Sequence, residues 1–116
     1  MSNIYDSAYD LEKAIRNSNE YKDLKAAFES VMNDESAKQM FEGFRNSQLE
    51  LQEKQMQGEE ITQDEIEKAQ KQFEVVQQHT AISKLMEQEQ RLNTVISDIS
   101  KIISQPLDDL YGQQEN

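Results

Sequence analysis

Three glycines and one proline in 116 residues leave this chain few places where a helix must stop. Glu, Gln, Lys, Ala and Leu fill nearly half of the rest, and all of them lose little rotamer freedom in a helix. The spacing of apolar residues is helical and not alternating. An all-α fold follows, and the positions of the few breaks decide how many helices it has.

The first helix is expected over about Ile4 to Asn17, with Asn3 as N-cap and Ile4, Ala8, Leu11 and Ile15 on one face. Asn17-Ser18-Asn19 is a polar break in which Ser18 or Asn19 caps a second helix, about Glu20 to Met32. Its stripe is Tyr21, Leu24, Phe28 and Val31. Asn33-Asp34 ends it, and Asp34 can cap a third helix over about Glu35 to Gln57. Positions 37, 41, 44, 48, 51 and 55 alternate in steps of four and three, the heptad seam. They hold Ala37, Phe41, Phe44, Gln48, Leu51 and Gln55, so the seam is aromatic at its start and polar toward its end. The glutamines fix register or mark where the helix leaves the core.

Gly58 stands where a C-cap glycine belongs. Thr62 and Glu65 then make an S/T-x-x-E capping box, flanked by Ile61 and Ile66 as a hydrophobic staple. Residues 57–61 are therefore a tight turn, and the helices on either side form an antiparallel hairpin. The fourth helix starts at Gln63 with the stripe Ile66, Ala69, Phe73 and Val76. Downstream the stripe is Ile82, Leu85, Leu92, Ile96, Ile99 and Ile103, out of phase with the first. A break near Gln77 to Ala81 resolves this, with Thr80 capping a fifth helix over about Ala81 to Ser104. An unbroken helix from Gln63 would be about 60 Å long, against roughly 35 Å across for a compact domain of this length. Gln105-Pro106 is expected to stop the fifth helix. Leu107 to Tyr111 add one more turn, closed by Gly112, and Gln113 to Asn116 fray. No repeat or linker divides the chain. The expectation is one elongated bundle of about five helices over residues 1–112, with 113–116 a frayed tail.

Apolar residues make up only 35% of the chain, against roughly 45–50% in an ordinary soluble domain when glycine is counted. Such a thin core is sustained by long helices packing along one stripe, often with a second chain supplying part of the burial. The candidate packing and oligomer seam is Phe41, Phe44 and Leu51 with Leu92, Ile96, Ile99 and Ile103. Tyr5, Tyr9, Ala27, Met32, Met86, Val95 and Ile102 widen the stripes beyond one neighbour. The chain itself is the expected partner, as a homo-oligomer and in the simplest case a dimer.

The charge bears on other partners. Twelve basic residues stand against 23 acidic ones, for a formal net charge of −11. The basic residues are spread evenly from Lys13 to Lys101, and no patch forms to neutralise phosphates. Direct binding to nucleic acid or to anionic membranes is disfavoured. Tyr5, Tyr9 and Tyr21 read as a buried belt against the bundle and not as a base-stacking platform. No stretch reaches the roughly 18 apolar residues of a membrane helix. The opening residues lack the basic-then-apolar pattern of a signal peptide, so a cytoplasmic protein is expected.

No catalytic constellation emerges. There is no cysteine, which excludes disulfides, thiolate metal sites and cysteine nucleophiles. His79 is the one histidine, and Val76 stands where a Glu-x-x-His motif needs its carboxylate. It reads as a partly exposed helix-end residue. The carboxylate pairs Glu59-Glu60, Asp64-Glu65-Glu67, Glu87-Glu89 and Asp108-Asp109 lack EF-hand spacing and read as a solvated face, several of them at helix N-termini. No serine elbow or phosphate-binding glycine loop is present. No enzyme activity and no cofactor are expected.

Three separated segments carry a family resemblance: Ile4-Tyr5-Asp6-Ser7-Ala8-Tyr9-Asp10-Leu11, Lys54-Gln55-Met56-Gln57-Gly58-Glu59-Glu60-Ile61-Thr62, and Pro106-Leu107-Asp108-Asp109-Leu110-Tyr111-Gly112. In this order they resemble the YheA-type proteins of the YlbF/YmcA group of Gram-positive bacteria, over nearly the whole chain. The resemblance implies an all-helical, oligomeric, cytosolic protein. Relatives in the wider group act as adaptors in a complex that supports ribonuclease Y-dependent mRNA processing, competence, sporulation and biofilm development. It therefore implies a non-enzymatic adaptor of RNA-processing or developmental machinery, with a self-assembling structural protein as the alternative. The relatives' complex is associated with iron–sulfur clusters, which need thiolates. This chain has none to offer.

Overall fold

The computed structural model describes residues 3–112. Five helices follow one another: α1 (Ile4–Arg16), α2 (Asn19–Met32), α3 (Glu35–Met56), α4 (Gln63–Gln78) and α5 (Thr80–Gly112). The fold is all-α among the described residues. The expected frayed tail, 113–116, lies outside them.

Local chemistry sets the helix starts. Asn3 accepts from the Tyr5 amide at 2.9 Å, and Asp6 accepts from the Asn3 amide at 3.3 Å, closing a capping box at α1. Ser18 caps α2 by accepting from the Tyr21 amide, and Asp34 caps α3 by accepting from the Ala37 amide, each at 3.2 Å. These short side chains satisfy amides that have no intrahelical acceptor.

The α3–α4 turn is the most completely bonded. Gly58 takes φ +75°, a conformation that a side chain disfavours. There the Glu59 amide donates to the Lys54 carbonyl and the Gly58 amide to the Gln55 carbonyl, the paired bonds of a Schellman end. Four residues later the Glu65 amide donates to Thr62 Oγ1 at 3.2 Å and the Thr62 amide to Glu65 Oε1 at 3.3 Å. The chain leaves one helix and enters the next with both helix ends capped.

The break before α5 is one residue wide. His79 is extended (φ −80°, ψ 118°). Its amide donates to the Val76 carbonyl, and its own carbonyl accepts from Ser83 at 2.8 Å. Thr80 is already helical, so the expected Thr80 cap is corrected: α5 starts directly on the His79 carbonyl. The phase shift between the two apolar stripes is absorbed at this single position.

The C-terminal end of α5 also needs correction. Pro106 does not stop the helix, which continues to Gly112. Proline removes the amide that would reach the Ile102 carbonyl. Around Pro106 every residue of α5 is exposed, so water can take that carbonyl. At 33 residues α5 runs about 50 Å, the same as the longest dimension of the molecule, 50 × 37 × 23 Å.

The core sits where α2, α3 and the first half of α5 meet the end of α4. It is built from Ala27, Val31, Ala37, Phe41, Phe44, Val76, Ile82 and Leu85, and Leu92 is also buried. α2 and α5 share the longest contact and run antiparallel, since Arg91 faces Asp23 at 3.9 Å while Val31 packs with Ile82 and Leu85. α3 and α4 are antiparallel as well, with Lys54 on Glu65 and Phe44 near Phe73.

Candidate functional site

The candidate seam divides. Phe41, Phe44 and Leu92 are buried, Leu51 and Ile99 are half-buried, and Ile96 and Ile103 are exposed. Gln48 and Gln55 face solvent, so the glutamines of α3 mark where that helix leaves the core. The dense isoleucine face of α5 is only partly covered: Val95 and Ile99 are half-buried, while Ile96, Ile102 and Ile103 are exposed. Likewise the tyrosine belt is not buried. Tyr21 is half-buried, but Tyr5 and Tyr9 are exposed, because α1 approaches α2 alone and no helix covers its outer side.

Two apolar surfaces result, and both lead out of the core in the direction in which α5 runs. The first is a groove of about 1010 Å³ along the α3–α4 hairpin. Its walls are Phe44, Leu51, Ile61, Ile66 and Phe73, edged by Gln48, Gln52, Gln55 and Gln70. The Phe44 and Phe73 rings stand 6.1 Å apart at 45°. Ile61 and Ile66, the staple, belong to the same surface. The second surface is a fork made by α1 and the half of α5 beyond Leu92. The ion pair Arg91–Asp23 lies beside the first turns of α2, so α5 runs on past the point where α1 joins α2. Sequence reasoning had the stripes of both surfaces. Which of them would stay uncovered has no local signal.

Electrostatics concentrate at the hairpin. Lys54 Nζ donates to both Glu65 oxygens, at 2.8 and 2.9 Å, and Thr62 Oγ1 lies 3.0 Å from Oε1. The Lys54 ammonium, with the Thr62 backbone and hydroxyl behind it, holds the Glu65 carboxyl below its ordinary value, and the carboxylate raises Lys54. A depressed acid stabilises the fold above the unfolded pKa and loses that contribution as pH falls through the folded one. Glu65→Gln keeps an acceptor for the Thr62 amide and removes the ion pair. Its melting temperature is expected to fall below that of the wild type at pH 7 and to converge with it as the pH drops below about 4. Thr62→Ala, which removes the cap itself, should cost about 0.5–2 kcal/mol in urea denaturation.

Among the described residues no three His, Cys, Asp or Glu side chains gather as a metal site would require. Glu59 and Glu60 stand exposed in the α3–α4 turn, and the other carboxylate pairs lie on exposed or half-buried helix faces. His79 is half-buried at the α4–α5 break, and its Nδ1 has no hydrogen-bond partner. No helix among the described residues is long and apolar enough to cross a membrane.

Over residues 4–108 the sequence matches the family described as control of competence regulator ComK, YlbF/YmcA. The chain belongs to the YlbF/YmcA family. A UPF0342 protein of Oceanobacillus iheyensis is 61% identical over 115 residues, 99% of this chain and 98% of its own length. The solved structure of yheA from Bacillus subtilis is 45% identical and superposes with a TM-score of 0.75 over 95% of this chain and 100% of that one. A Bacillus stearothermophilus structure titled as a protein of unknown function (DUF964) reaches a TM-score of 0.86 at 42% identity, covering 93% and 95%. The expected YheA-type resemblance and the all-helical fold both hold within the YlbF/YmcA family.

Proposed function

We propose that this YlbF/YmcA-family chain is a non-enzymatic protein-interaction module of the bacterial cytosol, an adaptor that serves regulatory machinery. The carrying observation is the α3–α4 groove, an apolar floor edged by four glutamines and Glu74 that no described residue fills. Its form suits an amphipathic helix of a partner, whose apolar side chains seat on Ile61, Ile66 and Phe73 while its polar edge meets the glutamines. The rigid turn at Gly58 to Thr62 fixes the two helices that make the walls. The family description, which names control of a competence regulator, supports a regulatory role, with RNA-processing or developmental machinery as the class of partner. The net charge of −11 weighs against nucleic acid and anionic lipid as direct ligands.

Crosslinked co-purification from a Gram-positive host tests this reading. The wild-type chain should recover a foreign protein, and Ile66→Glu, a charge at the exposed wall of the groove, should lose it. Recovery of nothing but the chain itself, across several growth states, would favour a self-assembling structural protein, a reading that the bare second half of α5 supports.

A further inference from the structure

Resting on the groove reading above, we infer that the occupant of the α3–α4 groove is an amphipathic helix with a cationic side chain at each end of its apolar stripe, and that the acidic ends of the groove select it. The apolar floor follows α4 from Ile61, just before its first turn, to Phe73. The stretch of α4 from Gln63 to Glu74 spans about 18 Å. A partner helix that covers it needs about three turns, with apolar side chains at helical spacing to meet Ile61, Ile66 and Phe73.

Charge is unequally placed around that floor. Between Ser47 and Glu74 eight acidic residues stand against three lysines. All three lysines line the opposite face of the hairpin: Lys54 and Lys68 flank one cleft there, and Lys68 and Lys71 the next. Lys54 is moreover held by Glu65. Among the described residues no basic side chain lines the groove, and its one charged wall residue is Glu74, beside Phe73 at the core end. At the turn end Glu59 and Glu60 stand exposed immediately before Ile61. None of these three carboxylates has a cationic partner within 4 Å among the described residues.

The groove is thus apolar along its length and negative at both ends. A helix with lysine or arginine about 12 residues apart places one cation at each end while its apolar stripe covers the floor. A helix with acidic ends meets like charge twice and is turned away. Pairs at an exposed rim are screened by water and salt, so they add modest affinity and act mainly on the choice of partner. Gln48, Gln52, Gln55 and Gln70 along the edges are neutral. They donate and accept alike, so discrimination by charge falls on Glu59, Glu60 and Glu74.

Fluorescence anisotropy on the full-length chain tests this with two labelled peptides of about 18 residues. Both carry leucines at helical spacing; one has lysines about 12 residues apart near its two ends, and the other has glutamines there. The lysine peptide should bind about tenfold more tightly at low salt, and the difference should shrink to about threefold or less near 0.5 M salt. The triple variant Glu59→Gln, Glu60→Gln, Glu74→Gln should abolish the difference. Glu50→Gln, Glu53→Gln, Asp64→Asn removes as much charge from the opposite face and should preserve it to within about twofold. Every substituted residue is exposed, so each variant should keep its helical circular dichroism. If the opposite-face triple closes the difference as well, overall charge draws the peptide and the inference is overturned. Ile66→Glu should weaken the glutamine peptide at least about tenfold. Equal binding of both peptides, lost on Ile66→Glu, overturns the role of the acidic ends and leaves the groove standing. Binding that Ile66→Glu leaves unchanged overturns the groove itself. A lysine peptide that fails to bind up to about 1 mM also overturns the inference, and crosslinking of Ile66→Cys between chains would then give the groove to a second copy, since the chain has no cysteine of its own.

Discussion

Ile82→Asp is expected to leave the chain largely unfolded at 25 °C, with most of its helical circular dichroism lost. Ile82 is fully buried at the first turn of α5, in the cluster that also holds Val31, Ala37 and Leu85. Removing an isoleucine from such a site costs about 2–5 kcal/mol through lost burial and the cavity left behind. The carboxyl adds more, because it must either ionise without a partner or stay neutral with its oxygens unsatisfied. A domain of this size has about 5–15 kcal/mol in total, and a core of so few residues belongs at the lower end. Ile99→Asp provides the contrast. Ile99 is half-buried, so the new carboxylate can reach water, and the loss within one chain is expected to be well below that at Ile82. A cooperative melt of Ile82→Asp within a few degrees of the wild type would mean that the α2–α5 packing is not the core of the fold.

That contrast shows which part of the structure the sequence carried. Caps and turns are local: Thr62, Glu65 and Gly58 each act within a few residues, so the α3–α4 hairpin was legible to within one residue. The phase shift between Val76 and Ile82 was legible too, as a break. Its resolution at His79 alone, with Thr80 helical, depends on backbone angles that side-chain pattern does not encode. Stripes are less informative than caps, because a periodic face says that something covers it and not what. Ile82, Leu85 and Leu92 share a pattern with Ile96 and Ile103, and only tertiary geometry places the first three inside. Pro106 misled for a related reason. The rule that proline ends helices assumes that the freed carbonyl has nowhere else to go, and on an exposed helix water takes it. Of the two candidate surfaces, the groove follows from the hairpin and was within reach of the sequence. The fork depends on how far α5 outruns α2.

Phe44→Ala is the other substitution with a large expected effect, and it asks what holds the hairpin to the core. Phe44 is 7% exposed and belongs to the core cluster, while its ring also faces Phe73 of α4. Truncation should cost about 3–5 kcal/mol in urea denaturation. Phe73 is 40% exposed, so Phe73→Ala removes less burial and should cost markedly less. The centroid separation of 6.1 Å lies in the range where tilted aromatic pairs attract, worth about 0.5–1.5 kcal/mol beyond the area that they bury. The double variant should therefore lose less than the two single losses added together, by about that amount. If the losses add within about 0.3–0.5 kcal/mol, the rings do not couple. The hairpin would then be held by its Gly58 to Glu65 turn, the Lys54–Glu65 ion pair and the Val76 end of α4. In that case the groove floor is free to open, and the width available to a partner helix is set by the turn and not by the aromatic pair.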